Sequence, residues 1–265
     1  MTSGEGRFVC AAGVTGARHA REGKPSQDAY RAERDGEAAL LAVADGHGTS
    51  VRGAEGADLA VESAGRVLQH ILAEAGALRP AEDLRALRRL VEEHARGRLV
   101  RLWRSLVQEQ APQADLKDFG STLLCALWAR DYLVLMRLGD GDMVLVEGGH
   151  AQLVLPLEDG EVGDETQSLC GPFAEHAVRT LVRPAPRGEA LLLLATDGYG
   201  KSYDDPKALC EVALDYQRKL RALGADALEQ RLPGYLQRVT EQGSGDDVTC
   251  VLAGSTGTPG PAGGT

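Results

Sequence analysis

Five Asp-Gly dipeptides punctuate the chain, at residues 35–36, 45–46, 140–141, 159–160 and 197–198. Asp-Gly is a common turn, so any one of them says little, and those at 35–36 and 159–160 read as plain turns. The other three stand in a different context. Asp45 closes the apolar run Leu40-Leu41-Ala42-Val43-Ala44 and leads into Gly46-His47-Gly48; Asp197 closes the run 191–196; Asp140 follows the run 133–138 and Gly139. A further acidic pair, Asp246-Asp247, directly precedes Val248-Thr249-Cys250-Val251-Leu252. Each acid therefore sits at the mouth of a buried strand, and a rigid strand end is a good place to hold a ligand. Carboxylates gathered in one place repel one another unless a cation neutralises them. Hard oxygen ligands with open positions suit Mg²⁺ or Mn²⁺, and a glycine after the acid lets the backbone approach so that its carbonyl can ligate too.

The elements that must position these acids are legible from periodicity. Residues 8–14, 29–33 and 38–44 read as strands, with Asp35-Gly36 as a hairpin turn. Two amphipathic helices follow: 53–74, where Leu59, Val61, Val67, Leu68, Ile71 and Leu72 share a face, and 81–108, opened by Pro80. Strands return at 122–128, 132–137, 143–147 and 152–155, then at 177–182 and 189–196, with a polar loop at 158–167. Helices at 206–223 and 225–240 precede a last strand at 248–253. Strands, two helices, a run of strands, two helices and a strand fit an α+β layered sandwich, and meander-like connections favour antiparallel sheets. No composition break divides residues 1–254, which read as one domain. The Gly/Pro/Thr-rich end, 255–265, cannot bury apolar surface and reads as a disordered tail.

Bulk composition narrows the function classes. A net charge of −10 lacks the basic footprint of a nucleic-acid binder. No apolar run approaches a membrane span, and the N-terminus lacks a cleavable signal pattern. The five cysteines, Cys10, Cys125, Cys170, Cys210 and Cys250, form no C-x-x-C pair, which argues against a disulfide framework or zinc site and suits a reducing cytoplasm. His19, His70, His94, His150 and His176 have no metal-like spacing and read as surface or core residues, and Trp103 and Trp128 read as core.

The acidic motifs also carry a family resemblance. Ser26-Gln27-Asp28-Ala29-Tyr30, Ala44-Asp45-Gly46-His47-Gly48, Phe119-Gly120-Ser121-Thr122, Leu138-Gly139-Asp140-Gly141-Asp142, Ala195-Thr196-Asp197-Gly198 and Gly245-Asp246-Asp247-Val248-Thr249 resemble, in order, the motifs of type 2C metal-dependent Ser/Thr protein phosphatases, in a compact form similar to bacterial members. The resemblance implies a four-layer αββα sandwich, two stacked and mainly antiparallel sheets flanked by helix pairs. It implies hydrolysis of phosphoserine or phosphothreonine monoesters by direct attack of a metal-bridging water, with two Mn²⁺ or Mg²⁺ ions and room for a third. Asp45 would bridge the two ions, Asp197 and Asp246 would complete the ligands of one, and the Gly46 carbonyl would bind the other. Asp28 would hold a metal-bound water, His47 would protonate the leaving alkoxide, and Asp140 would lie near a third ion. The implied partner is a phosphorylated protein, a Ser/Thr kinase or its targets, with neither nucleic acid nor membrane involved.

The chain departs from the pattern at three places. Gln27 stands where many members carry a metal-binding Glu; its amide oxygen can still ligate, but without charge. Lys201 stands where many carry another Asp for the third ion, which argues against that ion. Gly23 replaces the usual phosphate-binding Arg, leaving Lys24 and Arg21 as substitutes. These departures keep open a catalytically weak sensor or scaffold of the same fold; a divalent-metal hydrolase of small phosphate esters is the other alternative.

Overall fold

The computed structural model describes residues 7–157, 167–203, 205 and 207–255. Strand β1 (Arg7–Val14) leads through helix α1 (Ala17–Glu22) to the hairpin β2 (Asp28–Asp35) and β3 (Ala38–Asp45). Helix α2 (Gly53–Leu78) follows, then α3 (Arg85–Arg89), a π-helical turn at Leu90–Ala95 and α4 (Arg96–Gln110). Strands β4 (Leu123–Trp128) and β5 (Tyr132–Leu138) form one hairpin, and β6 (Asp142–Glu147) and β7 (His150–Leu153) another in the other sheet. After α5 (Ala174–Ala177) come β8 (Arg179–Pro184), β9 (Ala190–Ala195), α6 (Asp197–Gly200), α7 (Ala208–Leu223), α8 (Ala225–Gln242) and β10 (Val248–Ser255).

Strand β3 explains the layering. Its side chains alternate across the sheet, and both sets are buried: Ala39, Leu41 and Val43 in one cluster, Ala38, Leu40, Ala42 and Ala44 in another. A strand buried on both faces needs a cover on each. One cover is the second sheet, which contributes Met143, Leu145, Leu192, Leu194, Val251 and Ala253 to the central layer. The other is the helix pair α2 and α4, with Val67, Ile71, Leu99 and Trp103. The second sheet is covered in turn by α7 and α8 through Leu209, Tyr216, Leu232 and Leu236. The two five-stranded sheets run β1-β10-β9-β6-β7 and β2-β3-β4-β5-β8, and every pairing in them is antiparallel. This is the expected four-layer αββα sandwich. Trp103 and Trp128 are fully buried, as the sequence suggests, and the Trp103 indole donates to the Gly56 carbonyl at 3.0 Å, fixing α4 on α2.

Several boundaries move for local reasons. The helix expected over 81–108 begins at Arg85, because the Asp83 carboxylate accepts the Arg85 backbone N–H at 2.8 Å and holds the chain in a turn first. The strand expected over 152–155 is β7, two residues earlier: Gly148 and Gly149, at φ 58° and 80°, close a two-residue hairpin that pairs Glu147 with His150. The strand expected over 177–182 starts after α5 and runs to Pro184. Helices α1 and α6 were not anticipated; at six and four residues they are too short for a periodicity signal. Strand β10 carries the chain through Gly254 and Ser255, the latter paired with Arg7 and Ala190, so Ser255 belongs to the sheet and not to the tail. Residues 256–265 and most of the expected loop, 158–166, lie outside the described residues. No helix among the described residues is long and apolar enough to cross a membrane.

The central layer has least room to relax, since both of its walls are sheets. Leu194→Ala, at a fully buried position of that layer, is expected to lower unfolding free energy by about 2–5 kcal/mol. Val51→Ala, at an exposed side chain, should change it by less than about 0.5 kcal/mol; urea titration of both variants checks the contrast.

Candidate metal centre

Antiparallel register brings the acids together. In one sheet β9 lies between β10 and β6, with Ala195 opposite both Cys250 and Asp142. The end of β9 that leads into Asp197 therefore meets the starts of β10, after Asp246-Asp247, and of β6, after Asp140. In the other sheet Asp28 and Asp45 face each other across β2 and β3. The two edges are joined where the Thr196 hydroxyl donates to Asp28 Oδ2 at 2.7 Å.

Two glycines let the backbone close around this edge. A Cβ on Gly46 would lie 2.3 Å from the Gly53 carbonyl at the start of α2, and one on Gly198 would lie 2.0 Å from the Asp247 carbonyl oxygen. Neither gap admits a side chain, so the glycine of each Asp-Gly pair is a packing requirement. The strand ends are further pinned by Asp45 N–H to Thr122 Oγ1 at 3.0 Å, Gly46 N–H to the Gln27 carbonyl at 3.1 Å and the Thr240 hydroxyl to the Asp246 carbonyl at 2.8 Å. Asp247 is a structural hub. Its buried carboxylate accepts from Gly16 N–H at 2.7 Å, Gln27 N–H at 2.8 Å and pairs with His19 Nδ1 at 3.0 Å, tying α1 and the following turn to the site.

The result is a basin of about 410 Å³. Asp45, Asp140, Asp197 and Asp246 all line it, together with Gly46 and His47. Asp28 lies beneath, hydrogen-bonded to Thr196. A roomier cleft of about 870 Å³ opens at the other ends of the same strands, but there the four acids Glu37, Glu82, Asp83 and Asp131 are interspersed with three arginines, Arg7, Arg130 and Arg187, and Glu82 and Asp83 are further paired with Arg79 and Arg85.

The basin is different electrostatically. Burial, then the charges of Asp28, Asp197, Asp140 and Asp246, push the Asp45 pKa far above the carboxylate range. Burial also raises Asp28, with the Asp247 and Asp197 charges adding and the Thr196 hydrogen bond opposing. Asp197 is raised by burial and by Asp140, against the pull of Lys201. Asp142, behind the basin under α6, is pushed up to about 6 by burial. Asp28, Asp45 and Asp197 are thus held toward their protonated forms for want of positive charge, and the donors of the basin are hard oxygens. The basin therefore fits Mg²⁺ or Mn²⁺. No three His, Cys, Asp or Glu side chains among the described residues converge as a finished metal cage. Two of the acids are held partly aside by basic groups: Lys201 donates to Asp197 Oδ2, and an Arg18 guanidinium nitrogen stands 3.4 Å from Asp246 Oδ2. Carbonyl and water ligands would have to complete the coordination.

The other expected residues fall unevenly. Gln27 lines the basin, and its backbone bridges Asp247 and Gly46. Lys24 reaches the rim, paired with Glu22 at 2.7 Å. Arg21 does not line the basin: its Nε turns back onto the Ala17 carbonyl at 3.1 Å within α1, so the phosphate-contact role expected for it is corrected. His19, read from sequence as a bystander, lines the basin and is oriented by Asp247. Arg18 also lines it and was missed. Both belong to α1, whose single turn-and-a-half leaves no sequence signal. Burial lowers the His47 pKa, opposed by the Asp197 charge, and its Nε2 is buried without a hydrogen-bond partner among the described residues.

A sequence profile described as protein phosphatase 2C matches residues 15–237. No curated protein matches the sequence. Among solved structures, the Mycobacterium tuberculosis serine/threonine phosphatase PstP/Ppp is similar with a TM-score of 0.62 at 20% identity, covering 95% of this chain and 99% of that one. The catalytic domain of the serine/threonine protein phosphatase PstP, solved in complex with 2 manganese ions, gives 0.60 at 22%, covering 94% and 98%. PppA, a regulatory component of the type VI secretion system in Pseudomonas aeruginosa, gives 0.59 at 17%, covering 94% and 97%. Likeness at these identities establishes the fold.

The raised carboxylates make the metal-free chain pH-sensitive. Groups with folded pKa values above their unfolded ones stabilise the fold fully below the unfolded value, near 4, and that stability is lost as pH rises through the folded value. In chelator, the thermal midpoint is expected to fall steadily from mildly acid to alkaline pH. Saturating Mn²⁺ should flatten that slope, because cations replace the protons; a scanning-fluorimetry series with and without Mn²⁺ reads both.

Proposed function

The chain belongs to the protein phosphatase 2C family, and from that premise we propose that the acidic basin is its hydrolytic centre. It is a metal-dependent serine/threonine protein phosphatase whose substrates are phosphoproteins. The observation supporting the assignment of the site is the gathering of Asp45, Asp140, Asp197 and Asp246 into one basin from strand ends far apart in sequence.

On this reading Asp45 takes the central place, with Asp197, Asp246 and the Gly46 carbonyl as the remaining protein ligands for Mn²⁺ or Mg²⁺ and Gln27 as an uncharged neighbour. Bound divalent cations make water acidic enough to attack at neutral pH and neutralise charge on the phosphoryl oxygens. Asp28, fixed by the Thr196 hydroxyl, accepts a hydrogen bond from the attacking water and orients it. Arg18 and Lys24 at the rim draw in the phosphate dianion by charge. His47 supplies the proton for the leaving serine or threonine oxygen. Burial lowers its pKa against the pull of Asp197, and an arriving phosphate dianion favours the imidazolium that donates this proton. The elements from Arg7 to Ser255 act as one catalytic unit. The partner in the cell is a Ser/Thr kinase or the proteins it modifies, since a monoester hydrolase needs an enzyme that forms the ester. Five unpaired cysteines suit the cytoplasm as its compartment.

Asp45→Ala is expected to reduce Mn²⁺-stimulated hydrolysis of both an aryl phosphate and a phosphothreonine peptide to the level seen in chelator. An Asp45→Ala variant with near-normal turnover would overturn the assignment of the basin. His47→Ala should slow the phosphothreonine peptide about 100-fold and spare aryl esters, whose leaving groups need little protonation; equal loss on both would remove the proton-donor role.

A further inference from the structure

The basin already contains a cation, and the chain supplies it. Lys201 directly follows α6, and its backbone N–H donates to the Asp197 carbonyl at 2.8 Å. One helical turn therefore sets its side chain over that of Asp197. The ammonium donates to Asp197 Oδ2 and stands 3.8 Å from Asp140 Oδ2. The two carboxylate side chains are only 10% and 25% exposed, while that of Lys201 is 57% exposed. The ammonium thus caps a pair of acids from the solvent side. It does there what a dissolved ion would do, without the entropy cost of capturing one.

We propose that Lys201 is a tethered counter-cation: it fills the Asp140–Asp197 side of the basin and confines exchangeable divalent ions to the side formed by Asp45, Asp246 and the Gly46 carbonyl. This rests on the reading of the basin as a metal centre. Lys201 is bonded to one carboxylate oxygen of Asp197, Oδ2, so it limits how many ions bind without engaging both oxygens of that residue. With the ammonium gone, Asp140 and Asp197 lose the cation they share, and a further divalent ion is the available replacement. Lys201 is here a positioning residue that sets charge.

Equilibrium dialysis against Mn²⁺, with bound metal counted by mass spectrometry, tests this without relying on turnover. Lys201→Ala is expected to take up one more Mn²⁺ per chain at saturation than the wild type. Lys201→Arg, which keeps the charge, should bind the wild-type number. Adding Asp140→Asn to Lys201→Ala should abolish the extra ion. If the wild type binds Mn²⁺ and Lys201→Ala binds no more, the inference is overturned alone, and the same holds if the extra ion survives Asp140→Asn. A wild-type chain that binds no Mn²⁺ overturns the reading of the basin, and this inference with it. The half-exposed position of Lys201 makes both single variants foldable, and circular dichroism of each confirms that the comparison is between folded chains.

Discussion

Repulsion among carboxylates is the constraint around which this molecule is arranged. Asp28, Asp45, Asp140, Asp197 and Asp246 meet where the edges of two stacked sheets coincide, and burial makes the charges of Asp28, Asp45 and Asp197 costlier than in water. Flexible loops would let such groups swing apart. They stay because each stands on a strand end anchored in an apolar layer, and because neighbouring backbones are locked by short-range bonds: Thr196 to Asp28, Thr122 to Asp45, Thr240 to the carbonyl of Asp246. The stability of three packed layers is thereby spent on holding unfavourable charge in place, which is the condition for strong cation binding.

Charge is partitioned within the fold as well as counted over it. The cleft at the far ends of the strands mixes four acids with three arginines, while six carboxylates line the basin against Arg18, Lys24 and Lys201. The few basic groups near the basin differ in placement: Lys201 lies over Asp140 and Asp197, Arg18 reaches Asp246, and Lys24 is engaged with Glu22 at the rim. Asp247 has another duty. Although adjacent to Asp246, it is saturated by Gly16, Gln27 and His19 and fastens α1 to the site. Of two neighbouring acids, one thus lines the basin and the other holds the architecture.

Much of this was legible before any coordinates. Short apolar, β-friendly runs between turn residues located most strands, 3.6-residue periodicity located the long helices, and the apolar-Asp-Gly form marked the strand ends that carry the acids. The failures have a common cause. Helices α1 and α6 are too short for periodicity to register, and they carry His19, Arg18 and the turn that aims Lys201. Arg21 was expected at the phosphate because it lies near the acidic motif in sequence, yet its position on α1 turns it away. The start of α3 shifted because a side chain, Asp83, competes for backbone hydrogen bonds that a hydrophobic pattern does not register.

The sequence by itself determined the layers and the acids at their edges, because apolar runs, helical periodicity and the chemistry of Asp-Gly are local properties written along the chain. Tertiary structure alone decided which of those acids share a basin, which one is used up as a fastener, and which side of the basin an ammonium already covers. Those outcomes depend on antiparallel register and on the offset between two sheets, which bring residues 28, 45, 140, 197 and 246 within reach of one another. Electrostatic energy between charges depends on their separation in space, and a linear chain does not contain that distance until it folds.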